Sequence, residues 1–131
     1  MQKQRSSNTT PEVALRGLLH KRGLRYRLHR EIVPGTRRKV DIVFPAPKVA
    51  VDVRGCFWHG HAHDLAKYGA TRKKNLDYWI PKIDRNRARD LDTQRRLKRS
   101  GWKVIVVWEC DDLEKVTDRI ELAVRQRNAL S

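Results

Sequence analysis

Apolar positions at Leu15, Leu18 and Leu19 follow a Thr10-Pro11-Glu12 start and precede Gly23. This is the spacing of one helical face, with a capping hydroxyl, a proline where it is tolerated, an acid in the first turn and a glycine stop. Residues 24–31 alternate loosely and predict a strand, Pro34-Gly35 turns the chain, and residues 39–44 predict a second strand closed by Pro45 and Pro47. Residues 48–54 form the next strand, a hairpin partner of the second. A charged helix is predicted over 76–99, carrying Trp79, Ile83, Leu91 and Leu97; Pro81 in its first turns moves the expected start toward that residue, and Gly101 stops it. The continuous apolar run at 103–108 has the character of a central buried strand, and a last amphipathic helix is expected over 111–127. The order α, β, β, β, α, β, α predicts a mixed β-sheet flanked by helices: one α/β domain at 10–131 behind a polar arm at 1–9.

Composition narrows the partner. The chain has 131 residues, the size of one ordinary domain, with 30 Lys+Arg against 15 Asp+Glu and a formal charge of +15. Such a field favours a polyanion, and double-stranded DNA comes first. The N-terminus MQKQRSSNTT offers neither an apolar helix face nor a lipidation signal, and no signal peptide or long apolar run is present. The expectation is therefore a cytoplasmic protein, nucleoid-associated through DNA and without a membrane partner. With only Cys56 and Cys110, a disulfide framework is not expected.

Three groups of residues carry chemistry. On the strand at 48–54, Val49, Val51 and Val53 share one face while Asp52 and Arg54 share the other, and hairpin pairing brings Asp41 close to Asp52. Converging carboxylates beside a cation suit a divalent metal acting on a phosphodiester, and the spacing resembles the PD-(D/E)xK nuclease signature with Arg54 in the Lys position. An ordinary ion pair between Asp52 and Arg54 at a sheet rim is the plainer reading.

The stretch GCFWHGHAH at 55–63 combines Cys56 with His59, His61 and His63, and Cys110 lies just past the apolar strand at 103–108. Thiolates and imidazoles in fours suit tetrahedral structural zinc. Spacing alone leaves open which two histidines are ligands; the spare one, with an ordinary pKa of about 6.5, suits general-base work. Phe57-Trp58 reads either as core or as a wedge inserted between DNA bases. Arg72, Lys73, Lys74, Lys82, Arg85 and Arg89 lead a basic run suited to phosphate contact, partly offset by Asp84, Asp90 and Asp92.

From Thr10 to Cys110, through TTPEVALRGLLHKRGLRYRLH, VDIVFP, GCFWHGHAH, YWIPKIDRNRARD and GWKVIVVWEC, the chain resembles the very short patch repair (Vsr) endonucleases, mismatch-nicking enzymes of the PD-(D/E)xK-like superfamily. The resemblance implies a restriction-endonuclease-like fold with a structural zinc site. It places the metal-binding acid on Asp41, the water-activating histidine on His59, and the first-helix acid on Glu12. The intercalating pair falls on Phe57 and Trp58, and the zinc ligands on Cys56, His61, His63 and Cys110. The implied activity is a Mg²⁺-dependent nick 5′ to the mismatched thymine of a T:G pair, by a monomer, with repair proteins as further partners.

Three positions depart from the family. His63 stands where a cysteine is common, which still ligates zinc. Arg54 replaces a histidine and Asp52 an apolar residue, which offers the metal Mg²⁺ a further carboxylate beside Asp41. The segment before TTPE is short, so an N-terminal counterpart to the wedge is not expected. Two other functions fit these residues: a related nuclease acting on another mismatch, a modified base or a DNA structure, and a non-catalytic zinc-stabilised DNA-binding module.

Overall fold

The computed structural model describes residues 10–55 and 76–130. Outside these lie the arm 1–9 and, among the expected site residues, Cys56, Phe57, Trp58, His59, His61, His63, Arg72, Lys73 and Lys74. Helix α1 (Thr10–Lys21) is followed by strands β1 (Arg27–Arg30), β2 (Val40–Phe44) and β3 (Val49–Arg54), helix α2 (Leu76–Arg99), strand β4 (Lys103–Trp108) and helix α3 (Leu113–Leu130). The strands form one sheet in the order β1-β2-β3-β4. The first three are antiparallel neighbours and β4 joins β3 in parallel, so the chain must cross over between them, which it does through the segment containing α2.

The mixed α/β architecture is the one expected, with two corrections. Strand β4 lies at the edge of the described sheet rather than in its centre. Its run of apolar residues has a different cause: Ile105 and Val107 are buried on one face, while Val104 packs against a smaller cluster on the other, so both faces need apolar side chains. Helix α2 starts at Leu76 and continues through Pro81 rather than beginning near it. A proline this close to a helix start removes one backbone hydrogen bond without ending the helix.

Two apolar layers hold the sheet. Leu15 and Leu19 of α1 and Val116, Ile120 and Val124 of α3 pack on Ile42, Phe44, Val49, Val51, Ile105 and Val107. On the second side, Leu97 of α2 joins Val33, Val40, Val43 and Ala50, with Trp102 and Val104 at its border. Each fully buried Val, Leu, Ile or Phe side chain among them contributes about 1.5–3 kcal/mol. Gly23, at φ +76°, ends α1 in the left-handed conformation that glycine adopts without steric cost. The Asp112 carboxylate accepts the backbone N–H groups of Glu114 and Lys115 and so caps α3. Among the described residues, no helix is long and apolar enough to cross a membrane.

Candidate active site

The strand registers bring the site together. Pairing of Ile42 with Val51 and of Val43 with Ala50, continued by one step, sets Asp41 opposite Asp52. On the other side of β2, the pairs Leu28–Ile42 and Arg30–Val40 bracket His29 opposite Asp41. Asp41 therefore stands between a carboxylate on one neighbouring strand and an imidazole on the other. The backbone N–H of Val53 donates to its Oδ2 at 2.8 Å, which fixes the carboxyl in place.

The first turn of α1 adds the third group. Glu12 is 1% exposed, its Oε2 lies 2.8 Å from His29 Nε2 and 3.5 Å from an Arg16 guanidinium nitrogen. Donor atoms of Glu12, His29 and Asp41 all lie within 4.8 Å of one another. One divalent ion with bonds of about 2.0–2.6 Å can bridge donors over such a span. Two carboxylates and an imidazole are also donor types such an ion accepts, so the residues fit a metal.

The electrostatics of the cluster point the same way. Burial, then the negative charges of Asp52 and Glu12, push the Asp41 carboxyl up to about 8, against the pull of the Val53 N–H. Concentrated negative charge out of water is what a cation relieves. His29 is the residue that reading the sequence missed. A turn at Pro34-Gly35 is the midpoint between positions 29 and 41, and that arithmetic was the available signal. It is weak, because His29 takes φ +50° and does not behave as a regular strand residue.

Asp52 and Arg54 do form an ion pair, at 2.9 Å, yet Arg54 is only 7% exposed, so this is not a rim contact. Its guanidinium lies over the Trp108 ring at 5.7 Å, and its Nε is 3.7 Å from Asp90 of α2. Asp90, expected to offset the basic helix, instead reaches back to the sheet. Among the described residues, Arg54 Nη2 is buried without a hydrogen-bond partner. A buried donor in that state costs about 1–3 kcal/mol unless a ligand takes it up.

The remaining expected residues fall nearby. Parallel pairing sets Arg54 against Trp108, and the Glu109 N–H donates to the Arg54 carbonyl at 3.0 Å. Cys110, exposed on the following turn, therefore lies at the end of the sheet where β3 runs out. On α2, Lys82 is half-buried and Arg85 and Arg89 are exposed; their spacing puts them along one helix face.

The sequence aligns with proteins that cut DNA. The family model for the DNA mismatch endonuclease Vsr matches residues 1–65. The chain is 48% identical over 130 residues to the type II nicking enzyme V.XorIIP of Xanthomonas oryzae pv. oryzae, covering 99% of this chain and 88% of that protein. It is 39% identical over 128 residues to the type II nicking enzyme V.NmeAIP of Neisseria meningitidis, covering 96% and 87%. With the DNA mismatch endonuclease Vsr of Escherichia coli K12 it shares 37% identity over 113 residues, covering 85% and 69%. Similarity of this depth and coverage, in a fold that brings Glu12, His29 and Asp41 together, means that the chain belongs to the Vsr family and is a DNA endonuclease, a hydrolase of the phosphodiester backbone.

Proposed function

We propose that the protein nicks one strand of duplex DNA 5′ to the mismatched thymine of a T:G pair, using a divalent cation, Mg²⁺ in the simplest case. The observation that carries this reading is the convergence of Glu12 and Asp41 beside Asp52 and the buried Arg54 with which it pairs. Names of the relatives, nicking enzymes and a mismatch endonuclease, support the single-strand cut and the mismatch. Buried carboxylates on three different elements also argue against a module that only binds DNA.

Each residue then has a task. Asp41 and Glu12 would hold the cation, with Asp52 as a flanking carboxylate whose Oδ2 is occupied by Arg54. Bound there, such a cation polarises the phosphodiester and acidifies the attacking water. Arg54 Nη2, which has no hydrogen-bond partner among the described residues, donates to a non-bridging oxygen of the scissile phosphate. His59 takes the proton from the water, and Phe57 with Trp58 opens the base stack at the mismatch. Lys82, Arg85 and Arg89 hold the flanking phosphates, joined by Arg72, Lys73 and Lys74. One protein molecule carries the whole set, so a monomer acts on mismatched duplex and hands the nick to repair proteins.

Purified protein incubated with T:G, matched and other mismatched duplexes in Mg²⁺ is expected to nick the thymine strand of T:G alone. Equal cutting of matched DNA, or a requirement for another lesion, would move the reading to a related nuclease of different specificity.

Cys56, His61, His63 and Cys110 have the donor types of a closed structural zinc site, which would tie the residues following β3 to the turn after β4. Metal analysis is expected to give about one tightly held zinc per chain, lost on Cys110→Ala. Unchanged zinc in that variant removes Cys110 from the ligand set.

A further inference from the structure

We infer that His29 is a nitrogen ligand of the catalytic cation, and that it biases this site toward first-row transition ions such as Mn²⁺ over Mg²⁺. The inference rests on the cation site proposed above and adds to it the residue that sets metal preference. Three separate observations meet at His29. Its Nε2 is 2.8 Å from Glu12 Oε2, and its donor atom lies within 4.8 Å of those of both Glu12 and Asp41. The β1–β2 register sets it directly across from Asp41. Its backbone is left-handed at φ +50° while the flanking pairs Leu28–Ile42 and Arg30–Val40 keep the same register on either side of it.

That last feature separates a ligand from an incidental neighbour. A left-handed residue that is not glycine costs about 1–2 kcal/mol, and such conformations persist where the surroundings hold them, mostly at functional sites. Asparagine or glycine would occupy the same backbone at lower cost. An imidazole there delivers a nitrogen to the one point between β1, β2 and α1 where two buried carboxylates already converge.

The chemistry of the donor set gives the preference. Mg²⁺ is a hard ion that takes oxygen ligands and keeps several waters, so it gains little from an imidazole. First-row transition ions accept imidazole readily. A Glu, His and Asp set thus binds Mn²⁺ with one more useful ligand than it gives Mg²⁺.

The test uses full-length, zinc-loaded protein with Mn²⁺ and Mg²⁺ as probes, comparing wild type with His29→Asn, His29→Gly and Asp41→Asn. Asparagine and glycine both accept the left-handed backbone, so the fold is preserved, as thermal melts check. In wild type, pulsed EPR of bound Mn²⁺ is expected to show ¹⁴N coupling from an imidazole. Both His29 variants should lose that coupling and bind Mn²⁺ by calorimetry about 10- to 100-fold more weakly, with Mg²⁺ affinity changed less than about threefold. Retained nitrogen coupling, or an unchanged Mn²⁺ to Mg²⁺ affinity ratio, overturns the role of His29 while Asp41→Asn still abolishes binding. Mn²⁺ binding that survives Asp41→Asn overturns the cation site itself, and His29 with it.

Discussion

Asp41→Asn is expected to lower the nicking rate by about 10³-fold or more while leaving duplex DNA bound. Removing the acid proposed to hold the cation removes several kcal/mol of transition-state stabilisation, at about 1.4 kcal/mol per tenfold in rate. Binding draws instead on the basic residues, which the substitution leaves in place. The same substitution is expected to stabilise the metal-free protein near neutral pH. In the folded state, burial and the charges of Asp52 and Glu12 hold the Asp41 carboxyl at about 8, against an ordinary 3.8. The folded state therefore keeps a proton that the unfolded chain releases. Stability from this group is full below about pH 4 and declines as pH rises to about 8, by on the order of a few kcal/mol. Asparagine keeps an oxygen for the Val53 N–H and does not titrate. Melts of wild type in EDTA from pH 4 to 9 should thus fall where those of Asp41→Asn are flatter, and a divalent cation should raise the wild type at pH 8. A variant that nicks normally, or matching pH profiles, would remove Asp41 from the centre of the site.

The strand alternation carried much of this site in advance. Because side chains in a strand repeat every two residues, a hairpin of β2 and β3 had to bring Asp41 toward Asp52, and the observed register does so. Glu12 entered through the likeness to the Vsr family, and it reaches the site because α1 packs its Leu15–Leu19 face on the same sheet. His29 was not legible, since a left-handed residue inside a strand breaks the periodicity from which strand faces are read. The position of β4 failed for a related reason: Val104 and Ile105 are adjacent in sequence but face different clusters, which imitates a central strand. The burial of Arg54 was also hidden, because its second acid, Asp90, comes from a helix whose placement local patterning does not specify.

Arg54→Met is expected to destabilise the protein by about 3 kcal/mol, a fall in Tm of roughly 10 °C for a domain of this size. The guanidinium is the cation between Asp52 and Asp90, of which Asp90 is only 9% exposed, and an apolar side chain of similar volume leaves both acids near each other without it. Adding Asp52→Asn to Arg54→Met should recover part of that loss, because the neutral amide removes one of the two charges. Nicking should not return in the double variant, since the methionine at position 54 has no N–H to donate to the scissile phosphate. Arg54→Lys separates the two roles of the residue. Its ammonium keeps the charge, so most of the stability should remain, but it lacks the planar fork that lets Nε face Asp52 while Nη2 is left for phosphate. The expected result is a 10- to 100-fold lower kcat, about 1.4–2.7 kcal/mol, with KM changed little. A Lys variant with wild-type kcat would show that charge alone suffices and that Nη2 does not touch the phosphate; an Arg54→Met protein melting with wild type would show that the buried pair contributes nothing to the fold.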